Sequence, residues 1–275
     1  MISMQRCLIT SALATVLTGM ISACATPQAE QVPEEKHPSG TIRKVREAAN
    51  DSWIYAQISS TVYGGQGDKF ISPYVAEIDG AKNYWSGFKA KPYKLTLPDS
   101  EPILVVAYAG TENIQDWLFG NLDVFNTQYK QGLEFLREMK TLHSGLKKII
   151  VTGHSLGGAI SIYSASREPG IEAYVFNPSI RVHGGKYGTQ DNINSVSQYA
   201  ELLAVIRKAL PNPNGTYSTL GCIDKSPGKR HAIRALAECL THVAAWESKL
   251  ALESLQENGL GDRKHIDSST NTLVL

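Results

Sequence analysis

The sequence has no excess of charge of either sign. Its 275 residues carry 27 Lys plus Arg against 26 Asp plus Glu, so there is neither a basic field to attract nucleic acid nor an acidic tail. No internal period of about 20 to 50 residues recurs, and long low-complexity tracts are missing as well. Cysteine is sparse, with 4 in the chain. Cys7 and Cys24 fall in the N-terminal leader, which leaves Cys222 and Cys239 for everything that follows. What is present is a 42% hydrophobic chain of a length that suits one substantial α/β domain and leaves no room for a second. The expected partner is a small or lipid molecule, and no feature speaks to oligomeric state.

The N-terminal residues stand apart. Arg6 precedes an apolar stretch from Cys7 to Met20 that runs into small residues, the pattern of an export signal. The stretch ends in Ile21-Ser22-Ala23-Cys24, which resembles the bacterial lipobox. That resemblance implies cleavage after residue 23, lipid on Cys24 and a place in the cell envelope, with membrane contact made through the anchor. Ala25 in place of Asp favours the outer membrane on the same grounds. Alternatives are an ordinary cleaved signal and an uncleaved membrane helix. Residues 25–40 are polar and proline-rich, with Val32 their only large hydrophobe, so they cannot bury enough surface to fold. They are expected to form, with Cys24, a flexible tether (24–40) reaching on the order of 20 Å.

Beyond the tether, Ile42, Val45, Ala48, Ala49, Trp53, Ala56 and Ile58 recur at spacings of three and four, predicting a helix with one apolar face. A Gly- and Tyr-rich irregular stretch follows. Pro102 to Tyr108 is a continuous apolar run that suits a strand buried on both sides. A helix is expected near Gln128 to Leu142, and Lys148 to Thr152 is the next buried strand. Further strands are expected at Glu172 to Asn177, Asn192 to Gln198 and Thr216 to Ile223, with helices at Ala200 to Leu210 and His231 to about Gln256. Alternation of this kind predicts an α/β fold: a mostly parallel sheet with helices on both faces. The domain is expected to span 41–260, with a polar tail at 261–275.

The strand at 148–152 runs directly into Gly153-His154-Ser155-Leu156-Gly157-Gly158, and a helical stretch follows. This is GxSxG between a strand and a helix. A nucleophile on so sharp a turn needs neighbours without side chains, and the flanking glycines supply them. The helix start beside Ser155 favours developing negative charge. A Gly-rich loop of no function would explain neither the strand before nor the helix after.

Three segments resemble the class 3 lipases, the fungal-lipase-like branch of the α/β hydrolases: Val105 to Asn121, Ile149 to Ile160 and, more loosely, Tyr174 to Arg181. The resemblance implies an α/β-hydrolase-type fold and a serine ester hydrolase. It also implies that Thr111 and the backbone N–H of Leu156 form the oxyanion hole, consistent with the two preset donors that acyl transfer requires. Two departures stand out. After Trp117 the sequence has neither a long lid nor an HxGF segment, which counts against interfacial activation and long triglyceride substrates, and Ala109 occupies the place of the family's Arg.

In this fold the acid and then the base follow the nucleophile along the chain. Among the histidines, His37 lies in the tether, His143 precedes the nucleophile strand and His154 adjoins Ser155. His183 comes too early, only one strand beyond the nucleophile, and His265 is in the tail. His231, directly after the last strand, is the expected base, and His242, three turns into the following helix, is the alternative. Glu201, just past the strand at 192–198, is the expected acid, with Asp224 and Asp191 as alternatives. Cys222 and Cys239 are free to pair in an oxidising compartment. With His231 and His242 they fit no standard metal spacing, so no metal and no cofactor are expected.

The expected function is cleavage of acyl esters through an acyl-enzyme. A phospholipase or acyltransferase using the same site is the nearest alternative. A non-catalytic envelope protein that keeps the fold for binding is the alternative from another class.

Overall fold

The computed structural model describes residues 37, 39–64, 69–84, 86–110, 122–179, 192–201, 215–222, 230–267 and 272–273. Lys36–Leu275 forms one compact unit, and its frame is an eight-stranded sheet. The strands are β1 (Val75–Glu77), β2 (Lys82–Asn83), β3 (Lys89–Leu95), β4 (Ile103–Tyr108), β5 (Lys148–His154), β6 (Glu172–Phe176), β7 (Ile193–Gln198) and β8 (Thr216–Leu220). The spatial order is β1-β3-β4-β5-β6-β7-β8, with β2 also paired to β3. From β4 to β8 every pairing is parallel, whereas β1, β2 and β4 pair antiparallel with β3. The helices are α1 (Arg43–Thr61), α2 (Leu122–Leu142), α3 (Leu156–Ala165), α4 (Ile233–Ala244) and α5 (Lys249–Glu257). This is the mostly parallel sheet with helices on both faces that the alternation of strands and helices predicted.

Two apolar clusters, one on each side of the sheet, hold it. On β4, Ile103, Val105 and Ala107 join α1, α4 and α5, while Leu104, Val106 and Tyr108 join α2 and α3. Every residue of β4 is buried, which is why it reads as one unbroken apolar run instead of an alternation. Burying side chains such as Trp53, Ile58 and Leu240 stabilises the fold by about 1.5–3 kcal/mol each. The second half of α1 is sandwiched between sheet and α4, so its buried residues include Gln57, whose amide bonds Thr241 Oγ1 and Ser254 Oγ at 3.0 Å each.

Four expectations are corrected. The helix expected from 231 to about 256 is two helices: the chain turns at residues 245–248, Ser248 caps α5 by accepting from the Ala251 amide, and Glu247 takes Arg46 and Asn50 of α1. The Gly- and Tyr-rich stretch holds β1 to β3, and Pro92 in the middle of β3 is what hid it, since proline cannot donate to the ladder. Residues 37, 39 and 40, expected in the tether, belong instead to the folded unit: Ser39 is fully buried and bonds His37 Nδ1 at 2.7 Å and Thr41 Oγ1 at 2.8 Å, and His37 meets the edge of Trp246. The polar tail contains a short antiparallel pair, β9 (Ile266–Asp267) with β10 (Thr272–Leu273). The helix expected at Ala200 to Leu210 lies outside the described residues beyond Glu201, which itself sits in a non-helical turn. Among the described residues no helix is long and apolar enough to cross a membrane.

Candidate active site

Parallel strands in register bring their carboxyl ends to one edge. Tyr108 pairs with Gly153, His154 with Phe176, and Gln198 with Leu220. The residues just beyond these ends are Gly110, Ser155, Asn177 and Glu201, and His231 follows on the chain beyond β8. Sites in open α/β sheets form at this edge because that is where successive loops converge.

Ser155 sits between β5 and α3 with φ 56° and ψ −121°, a conformation that side-chain-bearing residues rarely adopt. Such strain costs on the order of 1–3 kcal/mol and is held by its surroundings. The Ser155 amide donates to Phe176 O at 3.1 Å, and the Ser155 carbonyl accepts from the amides of Ser179 and Ala159. The glycines are sterically required. A Cβ on Gly157 would lie 2.1 Å from the Tyr108 carbonyl oxygen, and one on Gly153 would lie 2.4 Å from Gly157 C. Leu156 is the first residue of α3, so its N–H is among the helix-start donors that have no intrahelical partner. Gly110 closes in from β4: a Cβ there would meet His154 O and Tyr63 Oη at 2.6 Å and Ser155 Cβ at 3.2 Å. Thr111, next in the chain, lies outside the described residues.

The structure brings His231 and Glu201 together. Glu201 follows β7 through a tight turn in which Ala200 takes φ 51°, Tyr199 N donates to Leu220 O at 2.7 Å and Glu201 N donates to Gln198 O at 3.3 Å. Its carboxylate oxygen Oε2 lies 2.9 Å from His231 Nδ1, with the Glu201 side chain 0% and the His231 side chain 9% exposed. Acceptance by a carboxylate assigns the hydrogen to Nδ1 and leaves Nε2 as the basic nitrogen. That Nε2 is buried and has no hydrogen-bond partner among the described residues. Asp191 and Asp224 lie outside the described residues. His242, the alternative base, is buried in α4, where desolvation and then the nearby Lys264 push it down to about 4.

Cys222 and Cys239 are joined as a disulfide with a Cα–Cα distance of 5.9 Å, closing a loop that contains His231. With their sulfurs bonded to each other, neither is a metal-ligating thiolate.

Several residues that support the site were not singled out from the sequence. Asn177, directly after β6 with φ 41°, accepts from Gln198 N at 2.8 Å and donates from Nδ2 toward the carbonyls of Arg230 and His231 at 3.4 Å. Gln198 Oε1 in turn accepts from Cys222 N at 3.3 Å. The one sequence signal was Asn177-Pro178 at a strand end, a turn dipeptide. His154, set aside as a structural neighbour of Ser155, bonds the His231 carbonyl through Nε2 at 2.6 Å and Tyr63 Oη through Nδ1 at 3.0 Å.

The family described as "Tle-like phospholipase domain" matches residues 74–183, less than half of the chain. No curated protein matches the chain. Among solved structures, a triacylglycerol lipase from Penicillium expansum is 14% identical with a TM-score of 0.49, covering 64% of this chain and 80% of its own. Lipase II from Rhizopus niveus is 17% identical with a TM-score of 0.41, covering 59% of this chain and 74% of its own. At TM-scores below 0.5 these two likenesses carry no conclusion. The family match contains all three segments that resemble lipases in the sequence, so over residues 74–183, elbow included, the chain is similar to the Tle-like phospholipase domain.

Proposed function

We propose that the chain is a serine hydrolase of lipid carboxyl esters. The observation that carries the reading is the buried Glu201–His231 pair, 2.9 Å apart with Nε2 left without a partner among the described residues, at the same sheet edge as the strained Ser155. In the proposed reaction the ester carbonyl is attacked by Ser155 Oγ, whose proton passes to His231 Nε2, while Glu201 holds the Nδ1 hydrogen and stabilises the imidazolium. The tetrahedral oxyanion is held by the N–H of Leu156 together with Thr111, and each such donor is worth on the order of a hundredfold to a thousandfold in rate. Collapse of the intermediate returns the proton to the departing alcohol. Water then attacks the acyl-enzyme with His231 again as base, releasing the fatty acid and restoring Ser155.

A protein that keeps this fold only for binding would have little use for such a pair. Taking a carboxylate and an imidazole out of water costs more than their attraction reliably returns. Between lipid classes, the family match favours phospholipids over triacylglycerols, and the lack of a long lid segment in the sequence after Trp117 supports the same preference. Transfer of the acyl group to another alcohol would use the same site with a different acceptor. Cys24 is proposed to carry the lipid anchor that holds the enzyme on the envelope membrane, supported by the Ile21-Ser22-Ala23-Cys24 sequence.

Two measurements test the reading. A fluorophosphonate should label the wild type on the peptide holding Ser155, and Ser155→Ala should abolish both labelling and release of fatty acid from phosphatidylethanolamine–phosphatidylglycerol vesicles. An unlabelled wild type with no release from vesicles or from a triacylglycerol emulsion would sink the assignment. For the anchor, an alkyne fatty acid fed to cells should tag the wild type and miss Cys24→Ala; an untagged wild type recovered as a soluble periplasmic product means an ordinary signal peptide, and an untagged one that stays with the membrane an uncleaved helix.

A further inference from the structure

Behind the elbow, hydrogen bonds run in a line. The Gly110 N–H donates to Tyr63 Oη at 2.9 Å, Tyr63 Oη lies 3.0 Å from His154 Nδ1, and His154 Nε2 lies 2.6 Å from the carbonyl oxygen of His231. Chemistry sets the directions. A carbonyl only accepts, so Nε2 of His154 carries the hydrogen, and in the neutral ring Nδ1 is then the acceptor. Tyr63 therefore donates its hydroxyl hydrogen to Nδ1 and receives the Gly110 amide on its oxygen.

We propose that Tyr63 and His154 are positioning residues that couple the segment leading to Thr111 with the backbone of His231, across Ser155. The proposal rests on the serine-hydrolase reading above. His231 is held at two points: its ring by Glu201 at 2.9 Å and its carbonyl by His154 at 2.6 Å, with Asn177 a weaker contact at 3.4 Å. A ring anchored at one point only can swing on its backbone, and a misplacement of about 1 Å is enough to cost on the order of a hundredfold in rate. At the other end of the line, the Gly110 amide fixes the strand exit one residue before Thr111. His154 is shielded from water, at 6% exposure, and its ring packs against that of His231 with centroids 4.6 Å apart. Neither Tyr63 nor His154 is assigned any contact with substrate in this scheme. Their effect passes through the groups that have it.

A merely stabilising network would behave differently on mutation. Tyr63→Phe keeps the ring and removes the oxygen, so kcat should fall by about tenfold to a hundredfold with KM unchanged and the melting temperature within a few degrees of wild type. At position 154 the two amides separate the two bonds. Gln places a nitrogen near the Nε2 position and can still donate to the His231 carbonyl, whereas Asn reaches only toward Tyr63. His154→Gln should accordingly retain more kcat than His154→Asn.

The experiment measures kcat, KM, fluorophosphonate labelling rate and melting temperature for the full chain and these three variants on phosphatidylethanolamine–phosphatidylglycerol vesicles. Wild-type kcat in folded Tyr63→Phe overturns the proposal, as does a His154→Asn equal to or better than His154→Gln. Should Tyr63→Phe fail to fold, the ratio of the two position-154 variants decides. A wild type that neither labels nor hydrolyses brings down the reading of the site and this proposal with it, whereas an active wild type beside an unimpaired Tyr63→Phe removes the proposal alone.

Discussion

The two halves of the candidate site are built by different means. The nucleophile side is a matter of backbone: five consecutive residues, Gly153 to Gly157, turn from β5 into α3, and their shape is set by the absence of side chains at both glycines. The base side is assembled from distant pieces by side chains. Glu201 comes from the end of β7, His231 from the segment beyond β8, Asn177 from the end of β6, and the Cys222–Cys239 disulfide ties the segment to α4. A local backbone device tolerates no added atom, whereas an assembled one loses function in graded steps as each tie is cut. Each variant below breaks one side and leaves the other readable.

The largest effect is expected on the nucleophile side. Gly157→Ala would place a Cβ 2.1 Å from the Tyr108 carbonyl oxygen, a contact that only a backbone shift can relieve. The expected outcome is loss of both turnover and a soluble folded product, read by expression yield and circular dichroism. A well-folded, active Gly157→Ala would mean that β4 and α3 do not approach as closely as described.

On the base side, Glu201→Gln should leave the fold in place and reduce kcat by roughly a thousandfold or more, because an amide no longer selects the Nδ1–H tautomer or stabilises the imidazolium. Asp224→Asn is the companion variant and should be nearly silent in the same ester-hydrolysis assay. The opposite pattern would transfer the acid's role to Asp224.

That contrast also explains what could be read from the sequence. The elbow was legible because its chemistry is contiguous: a buried strand, GxSxG and a helix in one run. Its strands β4 and β5 were legible because burial on both faces makes them uniformly apolar. Glu201 and His231 could be singled out only by their position after β7 and β8, since 30 residues separate them and nothing in either local sequence announces the other. Tyr63, Asn177 and the role of His154 were not legible. Tyr63 lies just beyond a helix in a stretch that looked irregular, and it meets His154 only because α1 packs across β5. Likewise β3 was masked by Pro92 and by lysines at 89, 91 and 94, which strand patterning reads as a break.

Removing the disulfide tests how much of the base side's order is covalent. Replacing Cys222 and Cys239 together by Ala reopens a loop with a sequence separation of 17, worth about 3 kcal/mol in the chain-entropy account. For a domain of this size that corresponds to a drop of roughly 6–12 °C in melting temperature. Fluorophosphonate labelling of Ser155 should survive at 25 °C, because Glu201 and His154 still hold His231. An unchanged melting temperature would show that packing alone orders the loop.

The effect that is smallest at neutral pH is a pH dependence that also resides on the base side. His242 is buried in α4, three residues along from the disulfide's Cys239, and desolvation with help from Lys264 pushes it down to about 4. Its Nδ1 has no hydrogen-bond partner among the described residues, so charging that nitrogen gains no described acceptor. An unfolded chain takes up a proton on this histidine at its ordinary value near 6.5, while the folded chain refuses it until about 4. Between those values the unfolded state binds more protons, and stability therefore falls as pH is lowered through the window and is fully present above it. His242→Leu removes the titrating group and keeps an apolar side chain in the same packing. Thermal melts of wild type and variant at intervals from pH 7.5 to 4 should show the wild type losing melting temperature relative to the variant once pH drops below 6.5, by a margin that widens toward pH 4. Groups common to both proteins cancel in the difference. Parallel curves across the whole range would mean that His242 is already charged, or freely hydrated, in the folded chain, and would leave α4 no more acid-sensitive than the elbow it faces across the sheet.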